Sequence, residues 1–173
     1  MRNMIRHVFL VLVIAGLAAL TSGTATALNG TPQHNSGART DYRADAVTAE
    51  GDMSAHTFTV FVPGQPPRVM PASFGKPGRE TPVGTFPIME KDRTIIFDSR
   101  TIGIPLSSPE GYYLTGEFAE RLTSGGVFVH SAPWSVDQQG NANVSHGCVN
   151  LAPDDAEWYY NVVHVGDPVT IHW

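Results

Sequence analysis

The chain has 173 residues, 11 basic against 16 acidic side chains for a net charge of −5, and a single cysteine. That length suits one domain with a proper core. The acidic balance argues against nucleic acid or an anionic membrane surface as a partner, and one cysteine excludes an internal disulfide.

Residues 1–27 read as a secretory signal peptide. Arg2 and Arg6 form the positive start, Val8 to Leu20 is uncharged and apolar but short for a membrane span, and Ala25-Thr26-Ala27 offers small residues for cleavage. Removal would leave about 146 residues with nine basic and sixteen acidic side chains, a net of −7. Membrane contact is then expected only through an uncleaved signal segment. No cysteine lies near the cleavage site to carry a lipid. Residues 28–52 are rich in Asn, Gly, Thr, Ser and Ala without a sustained apolar period, and are expected to be a flexible linker. The folded domain is expected over residues 53–173.

From His56 the chain reads mainly as β. Thr57 to Val62 is β-branched and aromatic, as a strand requires. Pro63-Gly64-Gln65-Pro66-Pro67 breaks it, and Arg68 to Phe74 reads as the returning strand. Gly75-Lys76-Pro77-Gly78 and Thr81-Pro82-Val83-Gly84 are turns. Thr85 to Met89, Arg93 to Phe97 and Val127 to His130 are further strands, and the last is apolar enough to be central and buried. Glu117 to Leu122 suggests a short helix, with Phe118 and Leu122 four apart. A firmer helix begins at Pro153, with Asp154 and Asp155 in its first turn and an apolar stripe of Trp158, Tyr159, Val162 and Val163. Gly166-Asp167-Pro168 stops it, and Val169 to His172 is a last strand. Many short strands, Pro/Gly turns and one or two short helices predict a mainly β fold, a β-sandwich or distorted barrel.

Chemistry concentrates at Ser145-His146-Gly147-Cys148-Val149-Asn150. A lone thiol flanked by glycine and histidine, in a chain that carries an export signal, points to a nucleophile. Its base is expected to be His130, delivered by the end of the Val127–His130 strand. His146 is a second candidate, only two residues away. The Ser131 carbonyl is placed to fix the His130 ring, and the N–H groups of Gly147 and Cys148 to form an oxyanion hole. A single His-x-Cys lacks the paired elements of a zinc site, so no metal is expected. In papain-like proteases the cysteine precedes the histidine, the reverse of the order here. Phe97 and Trp134 read as core packing.

These residues resemble the signature of the L,D-transpeptidase catalytic domain, a family of bacterial cell-wall enzymes with a cysteine nucleophile. The likeness extends to Ser73-Phe74-Gly75-Lys76-Pro77-Gly78, Thr81-Pro82-Val83-Gly84-Thr85-Phe86, Ser108-Pro109-Glu110-Gly111-Tyr112 and Gly126-Val127-Phe128-Val129-His130-Ser131-Ala132-Pro133-Trp134-Ser135. It is strongest to the mycobacterial and actinobacterial branch, which resembles this chain in having Asn at position 150 where many members carry Arg. The resemblance implies attack of Cys148 on the bond between the diamino acid and D-Ala of a peptidoglycan tetrapeptide, release of D-Ala, and transfer of the acyl group to the side-chain amine of a second stem as a 3→3 cross-link. It implies that the Tyr112 hydroxyl assists the oxyanion and that Tyr112, Gly125, Gly126 and Asn150 line the donor cleft. It further implies covalent capture by carbapenem β-lactams, and chemistry that needs no cofactor. Hydrolysis of the same thioester, as an L,D-carboxypeptidase would perform, remains open at the sequence level. A non-catalytic peptidoglycan-binding domain is disfavoured, because Cys148 and His130 are both present.

Overall fold

The structure, a computed structural model, describes residues 43–173. The expected signal peptide, and the expected linker as far as residue 42, lie outside the described residues. Nine strands form one curled sheet: β1 (Thr48–Asp52), β2 (Thr57–Phe61), β3 (Arg68–Ser73), β4 (Gly84–Pro87), β5 (Glu90–Asp98), β6 (Tyr113–Arg121), β7 (Phe128–Ser131), β8 (Val149–Leu151) and β9 (Pro168–His172). Their spatial order is β4-β9-β1-β2-β3-β8-β7-β6-β5. Among the described residues one α-helix, α1 (Pro153–Val162), packs against β6 and β7. Short 3₁₀ segments follow β5 at Ser99–Ile102 and β7 at Pro133–Gln138. The mainly β fold with few helices is the one the strand and turn pattern predicted.

The core lies between α1 and the inner face of the sheet. Phe58, Val60, Met70, Ala72, Val129, Val149, Leu151, Val169 and Ile171 meet Ala156, Tyr159 and Val163 there. Tyr159 stands edge-on to Phe58 with ring centroids 5.0 Å apart. Helix α1 starts on Pro153 without a side-chain cap, and Asp154 and Asp155 occupy its first turn. At its other end the Lys91 ammonium donates to the carbonyls of Tyr160 (2.5 Å) and Val163 (2.7 Å), covering groups that the helix leaves unpaired. Trp158 is only partly buried, under the Arg68 guanidinium 4.3 Å from its ring.

Two sequence expectations are corrected. Thr48–Asp52, assigned to the linker, is β1, paired antiparallel to β2 and parallel to β9. Hydrogen bonding on both sides makes this segment a strand despite its lack of β-branched bulk. Gly51 serves close packing, since a Cβ there would stand 2.7 Å from Ile171 Cδ1 and 2.8 Å from Phe74 Cε1. Glu117–Leu122, expected as a short helix, falls almost wholly in β6. A register shift between Glu117 and Glu120, with Phe118 at φ 51°, puts Phe118, Ala119 and Glu120 all in the interior. That bulge breaks the alternation a strand normally shows and imitates a helical spacing.

The strand that carries the site is set by a crossover. β7 and β8 run parallel, so residues 132–148 must travel back across the sheet before β8 begins. The register pairs Val129 with Val149 and His130 with Asn150. Because side chains alternate, Val129, Val149 and Val60 share the core, while Phe128, His130, Cys148 and Asn150 open onto the opposite side.

Candidate active site

Phe128, His130, Cys148 and Asn150 border one cleft of about 700 Å³, within the range of small-molecule sites. Its floor is the outer face of β5 to β8. Tyr112, Gly125, Gly126 and His146 also line it, so the cleft gathers the thiol, both histidines, the tyrosine, the two glycines and Asn150.

The Cys148 thiol is half-buried and lies 3.7 Å from the Gly126 carbonyl, to which it donates. Burial pushes the thiol up to about 11, opposed in part by a backbone contact at Phe128. His130 is buried, and burial pushes its imidazole down to about 4, against the Ser131 contact. Its Nδ1 stands 2.8 Å from the Ser131 carbonyl. A carbonyl only accepts, so Nδ1 carries the hydrogen and Nε2 presents a lone pair. At neutral pH both groups are therefore uncharged, a protonated thiol and an imidazole with a free lone pair bordering the same cleft.

The turn before β8 is tied to itself. The Ser145 hydroxyl donates to the Cys148 carbonyl at 2.6 Å and accepts from the Gly147 N–H at 3.1 Å. Gly147 has φ 121°, a conformation that side-chain-bearing residues rarely adopt. The oxyanion donors expected at Gly147 and Cys148 are thus not equivalent. The Gly147 N–H is committed to Ser145, whereas the Cys148 N–H has no acceptor among the described residues. Strand β3 and its continuation anchor the other side: Ser145 N–H donates to the Phe74 carbonyl (2.9 Å), Lys76 N–H to the Ser145 carbonyl (3.0 Å), and Val144 N–H to Ser73 Oγ (3.1 Å). Asn143 adds contacts to Phe74 N–H and the Met53 carbonyl, both at 3.0 Å.

Tyr112 closes the cleft from the segment that follows β5. Its backbone N–H donates to Ser99 Oγ (3.0 Å) and its carbonyl accepts from Ser99 N–H (2.9 Å). Burial raises the phenol above its ordinary range, and the neighbouring Cys148 sulfur adds to the rise. The phenol ring is 5.3 Å from that of His146. His146 is itself lowered, first by burial and then by Lys76, with Glu110 acting in the opposite direction. Lys76 and Glu110 form an ion pair beside it.

Asn150 is buried, and its Nδ2 donates to Ser135 Oγ at 3.0 Å. Gln139 Nε2 holds the adjoining Ala132 carbonyl at 3.2 Å. Sequence reasoning did not single out Ser135, Gln139 or Ser145 for these tasks, because short polar residues in a loop carry no signal until their partners are known. It also read Phe97 and Trp134 as core. Both line the cleft: the Phe97 ring lies 4.5 Å from that of His130, and half-exposed Trp134 lies 5.8 Å from it.

A thiol and a neutral imidazole border one cleft on a curled β-sheet, residue types that nucleophilic catalysis uses. The family model of the L,D-transpeptidase catalytic domain (YkuD) matches residues 47–171. L,D-transpeptidase 1 of Mycobacterium tuberculosis is 59% identical over 127 residues, covering 73% of this chain and 51% of the relative. The probable L,D-transpeptidase 3 of the same organism is 45% identical over 144 residues, covering 73% and 53%. Among solved structures, an L,D-transpeptidase from Mycobacterium smegmatis is similar at 59% identity with a TM-score of 0.72, covering 74% of this chain and 59% of that one. The L,D-transpeptidase LdtMt1 in complex with imipenem is similar at 58% identity, TM-score 0.72, with the same coverage. L,D-transpeptidase 3 from Mycobacterium tuberculosis in complex with a faropenem-derived adduct is similar at 46% identity and TM-score 0.70, covering 74% and 60%. The chain belongs to the L,D-transpeptidase catalytic-domain family. It spans about half the length of the curated relatives it matches.

Proposed function

We propose that this chain is an exported cysteine L,D-transpeptidase that forms 3→3 cross-links between peptidoglycan stem peptides. The observation that carries the reading is the register of β7 and β8, which puts Cys148 and His130 on one face of the sheet and into one cleft. Cell-wall or periplasmic location follows from the signal-like residues 1–27 and from the substrate.

Cys148 attacks the carbonyl that links the diamino acid of a tetrapeptide stem to its terminal D-Ala. The thiol proton passes to Nε2 of His130, which the Ser131 carbonyl holds in the accepting tautomer. The oxyanion is met by the Cys148 N–H and the Tyr112 hydroxyl, with Gly147 supplying the backbone turn that presents the first of these. Collapse breaks the C–N bond; the departing D-Ala amine takes the proton from His130, and a thioester remains on Cys148. The side-chain amine of a second stem attacks the thioester, gives its proton to His130, and leaves with the acyl group. The sulfur recovers that proton. Asn150, Gly125 and Gly126 shape the donor cleft, and His146 flanks the nucleophile beneath Tyr112.

Two relatives are known in complex with imipenem or as a faropenem-derived adduct. By the same chemistry, opening of a carbapenem ring by Cys148 would leave an acyl-enzyme here. The deciding experiment incubates the protein with a disaccharide-tetrapeptide and follows masses. A cross-linked dimer with loss of D-Ala is expected. Tripeptide alone would make the protein a carboxypeptidase, and turnover that survives Cys148→Ala would overturn the nucleophile.

A further inference from the structure

Gly116 occupies the middle of β6, paired with Ile95 of β5. Its φ is not in the left-handed region, so its backbone conformation does not call for glycine. A glycine inside a strand costs about 0.5–1 kcal/mol relative to alanine, which points to a steric reason for it. The space where a side chain would stand is filled by the Phe97 ring. A Cβ on Gly116 would lie 2.2 Å from Phe97 Cε2, 2.8 Å from Phe97 Cδ2 and 3.4 Å from Ile95 Cγ2. Phe97 therefore lies across the bare backbone of β6. From there its ring reaches Phe128, edge-on at 5.5 Å, and His130, tilted at 4.5 Å.

We propose that Gly116 is a positioning residue for His130: its missing side chain lets Phe97 lie across β6 and press on the imidazole, fixing the direction of Nε2 and keeping water off the ring. The proposal rests on the assignment of His130 as the base. Two of the constraints on that imidazole are local, the Ser131 carbonyl and the nearby Trp134 ring. The third comes from β5, through a hole in β6. A side chain at position 116 moves Phe97 into the cleft or off His130, and either movement loosens the imidazole and admits water to it. A misplacement of about 1 Å near a reacting group costs on the order of 10²-fold in rate.

The test compares wild type, Gly116→Ala, Gly116→Val, Phe97→Leu and the double variant Gly116→Val/Phe97→Leu. Three quantities are read: carbapenem acylation rate by intact-protein mass, melting temperature, and the His130 titration by NMR. Gly116→Val is expected to slow acylation by roughly 10–100-fold and to move the His130 titration up from about 4 towards its ordinary value. Phe97→Leu makes room, so the double variant is expected to acylate within about three-fold of Phe97→Leu alone, the signature of two coupled sites. Should Gly116→Val not fold, the smaller Gly116→Ala carries the same comparison. An unmoved His130 titration in Gly116→Val, or a double variant whose loss is the product of the losses of Gly116→Val and Phe97→Leu, overturns the proposal. The NMR titration needs no turnover, so it judges Gly116 separately: a wild-type protein that no carbapenem acylates counts against the proposed function instead.

Discussion

The Ser145 hydroxyl joins the carbonyl of Cys148 to the N–H of Gly147, two hydrogen bonds of one tight turn held by a single oxygen. It ties up the Gly147 N–H, while the Cys148 N–H has no acceptor among the described residues. Ser145→Ala removes both hydrogen bonds from a buried site. The expected cost is about 1–2 kcal/mol of stability and roughly a 10–100-fold loss in acylation rate through misplacement of the donor and sulfur. Thermal melts and stopped-flow acylation measure the two. A variant that loses stability but acylates at the wild-type rate would show that the turn does not depend on this hydroxyl for its geometry.

Cys148 and His130, the proposed nucleophile and base, are both shifted out of the neutral range. Burial pushes Cys148 up to about 11 and His130 down to about 4. The reactive form is then the neutral pair, and acylation is expected to be flat through the neutral region and to fall on the acid side near pH 4 as His130 takes a proton. A thiolate–imidazolium pair at rest would instead make alkylation by iodoacetamide fast and nearly independent of pH around 7. The same depression of His130 links to stability. Its folded value lies below the ordinary 6.5, so its contribution is complete above pH 6.5 and is lost as pH falls towards 4, by roughly 3 kcal/mol. Denaturant melts between pH 4 and 7, with and without His130→Gln, measure that slope.

How far the sequence foretold this site depends on distance along the chain. β2 and β9 are β-branched runs, β7 grows from the apolar run Val127-Phe128-Val129, β3 lies between clear Pro/Gly breaks, and α1 has Pro153 and two acids at its start, so local pattern was enough. β1 was hidden because Thr48–Asp52 holds two acids and a glycine, and it becomes a strand only through partners at residues 57–61 and 169–172. β6 was hidden by its bulge. Cys148 and His130, which border one cleft, were legible as candidates because unusual residue types sit in a specific motif. The contacts of Phe97, Gly116 and Ser135 were not, because they arise from register and packing between segments far apart in the chain, and register is set by the whole sheet.

Glu120 is fully buried with neither carboxylate oxygen hydrogen-bonded, on the core face beside Tyr159 and Lys91. Burial raises its carboxyl well above the ordinary range, with Lys91 pulling the other way. The sign follows. Glu120 stays protonated in the fold but ionises near 4.5 when unfolded, so the fold loses stability as pH rises above 4.5. Glu120→Gln keeps the shape and removes that loss. It is expected to raise the melting temperature at pH 8 by a few degrees, roughly what ~1 kcal/mol gives in a domain of this size, with a smaller gain at pH 4.5. A variant less stable than wild type at pH 8 would mean that Glu120 is ionised and paired with Lys91.

Lys76 and Glu110 pair beside His146 and act on it in opposite senses: Lys76 lowers its pKa and Glu110 raises it. Removing one charge at a time should therefore move the histidine in opposite directions. Lys76→Met is expected to shift the His146 titration up, because the cation that disfavours a second positive charge is gone. Glu110→Gln is expected to shift it down, because the anion that favours imidazolium is gone. Both side chains are partly exposed, so each shift should shrink as salt is raised and the ion pair should add little to stability. NMR titration of His146 in both variants at low and high salt reads all of this. Shifts of the same sign would mean that loss of either partner moves Tyr112 off the ring, so that burial and not charge dominates the change.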